Sequence, residues 1–92
     1  MTELAFIIFA DDPEIYAKGM EKEFSLSFQK EKHGKGPEHW SGYYGTQLFE
    51  IYPPTKDRPN GTFGIAIEGK FKRLEIKSLR FLLHLIDDYD WT

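Results

Sequence analysis

KEKHGKGPEHWSGYYGTQLFEIYP, residues 30–53, decides how this chain is read. Within it, TQLFEIY (46–52) alternates Gln47, Phe49 and Ile51 against Leu48, Glu50 and Tyr52. A period of two is that of a β-strand, whose side chains point to opposite faces. The alternation puts a carboxylate, Glu50, at the centre of a largely apolar strand. Burying a carboxylate without compensation is costly, so Glu50 must face water, a cavity or a partner. Two readings stand: Glu50 looks into a pocket, or it lies on a solvated sheet face and pairs with a lysine. Before it, EHWSGYY (38–44) reads as a neighbouring strand, and GKGP (34–37) as a turn. Gly42 and Gly45 suggest a bulge or a sharp bend. SLSFQKEKH (25–33) alternates as well, with Leu26 and Phe28 on one side and Ser27, Gln29, Glu31 and His33 on the other.

Toward the N-terminus, LAFIIFA (4–10) is a continuous apolar run, the pattern of a strand covered on both faces. DDPE follows. Asp11 or Asp12 can cap a helix, Pro13 fits its first turn, and Glu14 suits the positive end of the helix dipole. A helix through about Phe24 is predicted, with Ile15, Met20 and Phe24 turned inward. Gly19 in its middle costs about 1 kcal/mol against alanine. Toward the C-terminus, Pro53-Pro54 stops the strand, and TKDRPNG (55–61) is a polar loop with a turn at Asn60-Gly61. TFGIAIEG (62–69) is another strand. KFKRLEI (70–76) reads equally as the return strand of a hairpin or as the start of a helix. Behind a Ser78 cap, Leu79, Leu82, Leu83 and Ile86 keep helical spacing, and Phe81, Leu85 and Tyr89 widen the apolar face.

These elements make an α+β chain. Its 92 residues point to one domain, 1–92. A monomer of this size buries only roughly 60–65 % of the surface its unfolded chain exposes. With no cysteine, disulfides cannot compensate, and no thiolate serves catalysis or zinc. A formal charge of −3 with dispersed lysines gives no reason to expect nucleic-acid binding. The apolar run 4–10 is far too short to span a membrane, and Thr2-Glu3 before it is no basic leader. The expectation is a cytoplasmic protein without a membrane partner.

At EKHGKGPEHW (31–40) and GTQLFEIYPP (45–54) the sequence resembles the glyoxalase / bleomycin-resistance / dihydroxybiphenyl dioxygenase superfamily, the vicinal oxygen chelate proteins. The first strand ending in DDPE and the SLSF after the first helix strengthen the likeness, which covers residues 4 to 69. The resemblance implies a β-α-β-β-β module over 1–54. It further implies that two such modules, in one chain or two, form a cupped sheet around a pocket. Two departures are visible. Met20-Glu21 and Phe24-Ser25 stand where many relatives carry Phe-Tyr and Leu-Gly pairs. Residues 62–92 resemble only the opening strand and helix of a second module.

The resemblance also implies what the site should be. In metal-dependent relatives a glutamate at the Glu50 position ligates the ion, joined by His or Gln from the start of each module's first strand. Those positions fall here at Leu4 or Ala5 and near Thr62 or Phe63, none of which offers such a ligand. Since a metal centre needs at least three converging protein ligands, no metal and no other cofactor is expected. The resulting expectation is a metal-free small-molecule-binding protein of bleomycin-resistance type. It acts as a homodimer and holds a small aromatic or cationic ligand with Glu50, His39, Trp40, Tyr43 and Tyr52. The alternatives are a divalent-metal lyase or dioxygenase of glyoxalase type, and a remnant limited to self-association or partner binding. Residues 62–92 are expected to be exchangeable between subunits, with 55–61 as hinge.

Individual side chains carry competing readings. His33 and His39 bracket the turn and, with Glu31 or Glu38, could bind zinc adventitiously. The plainer reading makes them polar hairpin residues, with His39 hydrogen-bonded to backbone. His84 is assigned nothing. The GKG at 34–36 lacks the helix and spacing of a phosphate loop. Ser41 and His39 share a face but lack a third orienting group for a nucleophile. The rings at 40, 43, 44, 49 and 52 divide between a pocket wall and ordinary core.

Overall fold

The computed structural model describes residues 4–23, 26–45, 47–67 and 70–74. Within them, β1 (Leu4–Phe9) leads into α1 (Pro13–Glu23). Four strands follow: β2 (Phe28–Glu31), β3 (His39–Tyr44), β4 (Gln47–Tyr52) and β5 (Thr62–Ile67). A last strand, β6 (Lys70–Leu74), completes the described elements. They form one six-stranded mixed sheet in the order β2-β3-β4-β1-β5-β6. β1 lies in the interior, parallel to β4 and antiparallel to β5. This position explains why residues 4–10 are apolar throughout. The architecture is a small α+β fold with one helix, and its first five elements run β-α-β-β-β.

Strand register sorts the side chains into two faces. Phe6 and Ile8 of β1 pair with Phe49 and Ile51 of β4, and with Ile65 and Phe63 of β5. With Met20 and Ala17 of α1 they build the core, which also takes in Leu26 and Phe28. Phe6 stacks on Phe49 at 5.4 Å. The opposite face carries Ala5, Ile7 and Phe9 beside Leu48, Glu50 and Tyr52. It continues through Ser41 and Tyr43 of β3 and Gln29 of β2.

Asp12 begins α1, its carboxylate accepting the Ile15 N–H at 3.1 Å, with Pro13 in the first turn. Of the residues predicted to face inward, Met20 does and Ile15 does not. Ala17 and Met20 are buried, and Tyr16 packs against the core, but Ile15 is 68 % exposed. At about 100° per residue, Ile15 sits some 200° round from Ala17, so the two cannot share a face. Phe24 lies outside the described residues.

Gly42 makes no bulge. It sits in regular register between Phe28 and Phe49. A Cβ there would lie 2.6 Å from the Ser27 carbonyl oxygen and 2.9 Å from the Phe28 ring. It is a close-approach glycine, whereas Gly45, with φ +62°, is the turn residue.

Of the two readings of residues 70–76, the hairpin is found: β6 pairs antiparallel with β5. A strand therefore follows β5 where the resemblance to a second module implied a helix. The helix expected from Ser78 lies outside the described residues. The 55–61 loop is pinned at several points. Thr55 and Arg58 exchange backbone hydrogen bonds, Gly61 N–H donates to Phe9 and Thr62 N–H to Pro59. Asp11 N–H donates to the Asn60 side chain at 3.0 Å. Among the described residues no helix is long and apolar enough to cross a membrane.

Candidate ligand-binding trough

The face away from α1 holds a trough of about 760 Å³. Ala5 of β1, Leu48 of β4 and Ala66 of β5 supply apolar floor, and Tyr43 of β3 stands at its side. Glu50, Glu31, Ser41 and His33 make the other part polar. Among the described residues the lining thus holds two carboxylates and no lysine or arginine.

Each carboxylate is held in place. Tyr52 sits two residues beyond Glu50 on the same strand face and donates its hydroxyl to Glu50 Oε2 at 3.0 Å. Ser41, which faces Glu50 in register, donates to Glu31 Oε2 at 3.1 Å. The Tyr52 hydroxyl is pushed above its ordinary pKa, first by burial, then by the negative charge and hydrogen bond of Glu50, and last by Glu31. A neutral phenol is thereby kept as a donor to Glu50.

His39 lies behind the two acids and is only 2 % exposed. Its ring stacks on Tyr52 at 4.5 Å and 12°, and meets His33 at 5.1 Å. Nδ1 lies 3.2 Å from the Pro37 carbonyl oxygen. That oxygen can only accept, which assigns a proton to Nδ1. Nε2 has no hydrogen-bond partner. It sits 3.4 Å from Glu50 Oε2 and 3.7 Å from Glu31 Oε2, at approaches that do not make hydrogen bonds.

The sequence-predicted residues thus separate. Glu50 and Tyr43 line the trough, and His39 and Tyr52 support it from behind. Trp40 does not join them: it pairs with Ile51 in register and packs against the helix-side core. Parity along β3 dictates this, since 40 alternates with 39, 41 and 43. Ser41 and Gln29 belong to the trough and were not singled out for it; the same parity would have found them. Ser41 hydrogen-bonds Glu31 and no histidine.

The positions that the glyoxalase resemblance implies for metal ligands do not converge. Ala5 reaches the trough but has no donor atom. Phe63 packs on the helix side, and Thr62 is buried opposite Phe9 at the end of β5. Among the described residues, a glyoxalase-type ligand set is therefore not assembled around Glu50. Comparison with protein-family models, curated proteins and solved structures finds no match to this chain.

Proposed function

We propose that this chain is a glyoxalase-like small-molecule-binding module that holds a compact cationic, aromatic ligand without transforming it. The observation that carries the reading is Glu50, a half-buried carboxylate fixed by Tyr52 at the edge of a trough whose described lining has no lysine or arginine. A cation there gains from two carboxylates in a partly desolvated setting. Tyr43, 57 % exposed, offers a ring face for a planar or quaternary ammonium group, and Leu48, Ala5 and Ala66 offer apolar contact. The β-α-β-β-β order of residues 4–52 is what the resemblance to bleomycin-resistance-type proteins implies, and it supports the same reading.

The test is calorimetry with benzyltrimethylammonium and its uncharged analogue neopentylbenzene. The cation should bind and the neutral molecule should bind at least about tenfold more weakly. Glu50→Gln keeps an acceptor for Tyr52 and removes the charge. The lost coulombic attraction is worth about 1–4 kcal/mol at contact distance, so affinity should drop roughly tenfold. Equal affinity of the two probes, or unaffected binding by the Glu50→Gln variant, would remove Glu50 from the function.

A further inference from the structure

A second arrangement lies at the β2–β3 end of the trough, where Glu31 meets two histidines. Glu31 closes β2 and His39 opens β3, and the two are register partners on one face. His33 follows Glu31 by two residues. The turn beyond it closes with the Gly36 N–H donating to the His33 carbonyl, and Gly34 takes a φ of +56°. A Cβ on Gly36 would approach that carbonyl to 3.1 Å. The glycines of GKG thus fold His33 back over the strand pair. Its Nε2 comes to 3.3 Å from Glu31 Oε2. One ligand atom from each of Glu31, His33 and His39 lies within 4.8 Å of the others.

His39 separates this cluster from an ordinary polar patch. Its Nδ1–H is engaged by Pro37, and the buried Nε2, close to two carboxylate oxygens, has no hydrogen-bond partner. A buried ring nitrogen left without a partner 3.4 and 3.7 Å from two carboxylate oxygens is costly, and a cation held between them satisfies all three groups. The outer contacts match those of a metal centre as well. A backbone carbonyl fixes the imidazole tautomer, and a serine hydroxyl orients the carboxylate.

We propose that Glu31, His33 and His39 form a site for a borderline divalent cation of the zinc class, with a fourth position open toward the trough. Two imidazoles and a carboxylate suit such an ion, whereas magnesium and calcium take oxygen-rich sets. Ligand bonds of about 2.0–2.1 Å put neighbouring ligand atoms about 3.3 Å apart in a tetrahedron. The Glu31–His33 and Glu31–His39 separations already approach this. The exposed His33 closes the remainder by rotating its ring. The site goes beyond the small-molecule reading and does not depend on it.

The experiment titrates tag-free protein, treated with chelator and dialysed, with Zn²⁺ alone and with Mg²⁺ alone by calorimetry. One Zn²⁺ should bind per chain in the micromolar range or tighter, and Mg²⁺ should not bind. Glu31→Gln and the surface change His33→Ala should each weaken Zn²⁺ at least about tenfold. His84→Ala should leave it unchanged. In imidazole-detected nitrogen–proton spectra, Zn²⁺ should move the His33 and His39 signals and not those of His84. Absence of saturable binding, undiminished affinity in both the Glu31→Gln and the His33→Ala variants, or shifts confined to His84 would each overturn the site. Because the metal is the only titrant, this outcome is separate from whether benzyltrimethylammonium binds.

Discussion

Tyr16 turns from α1 onto the core, and burial pushes its hydroxyl pKa up to about 12 from the ordinary 10. The sign of the consequence follows from linkage. The folded state holds the phenol neutral where the unfolded chain begins to ionise it, so the contribution is complete below pH 10. It declines as pH rises from 10 through about 12. Stability measured by urea denaturation should therefore fall across that window, and Tyr16→Phe, which cannot ionise, should fall less steeply. Parallel curves for the two proteins would show that Tyr16 does not contribute to alkaline unfolding. Glu50 is held differently: its carboxylate remains at the trough edge because Tyr52 supplies a neutral donor, and that donor persists because burial and Glu50 itself oppose its ionisation.

Between elements, a close approach lies where β3 pairs with β2 at Gly42. Ser27 and Phe28 occupy the space a side chain would need, with backbone oxygen among the nearest atoms. Gly42→Ala should cost about 1–3 kcal/mol, as overpacking does. The lower midpoint of denaturation should come with no change in the slope. A neutral effect would mean that β2 shifts freely away from β3. This glycine also marks the limit of what alternation reveals. Period two located the strands at 25–33 and 46–52 and set Glu50 and Tyr52 on one face. It could not tell a packing glycine from a bulge, because both appear as a gap in a strand pattern. The side assigned to Ile15 failed for a related reason: the apolar residues of α1 are too few for spacing alone to select the buried stripe. The pairing of Glu31 with His39 depends on strand register, and the return of His33 depends on turn geometry, neither of which sequence spacing specifies.

At the scale of the molecule, the sheet's described outer strands are β2 and β6, and both carry charge. Lys30 and Glu31 lie on one, and Lys70, Lys72 and Arg73 on the other. Charged edge strands resist extension by another strand. β5 pairs with β1, and the loop before it is hydrogen-bonded at Thr55, Arg58, Asn60 and Gly61. If two copies associate, as the small-molecule reading holds, contact falls to the trough face, where Tyr43, Leu48, Ala5 and Ala66 are apolar but Glu31 and Glu50 are not. A two-fold contact there sets like charges toward each other. A bound cation relieves that repulsion, and what binds the dimer more tightly than the monomer must strengthen the dimer. Light scattering in the micromolar range should therefore give twice the 10.8 kDa of one chain. Benzyltrimethylammonium should lower the dissociation constant of the pair. Leu48→Arg should yield single chains and weaken the cation together with the dimer. Single chains that still bind the cation at full strength would leave the trough functional and dispense with the second copy.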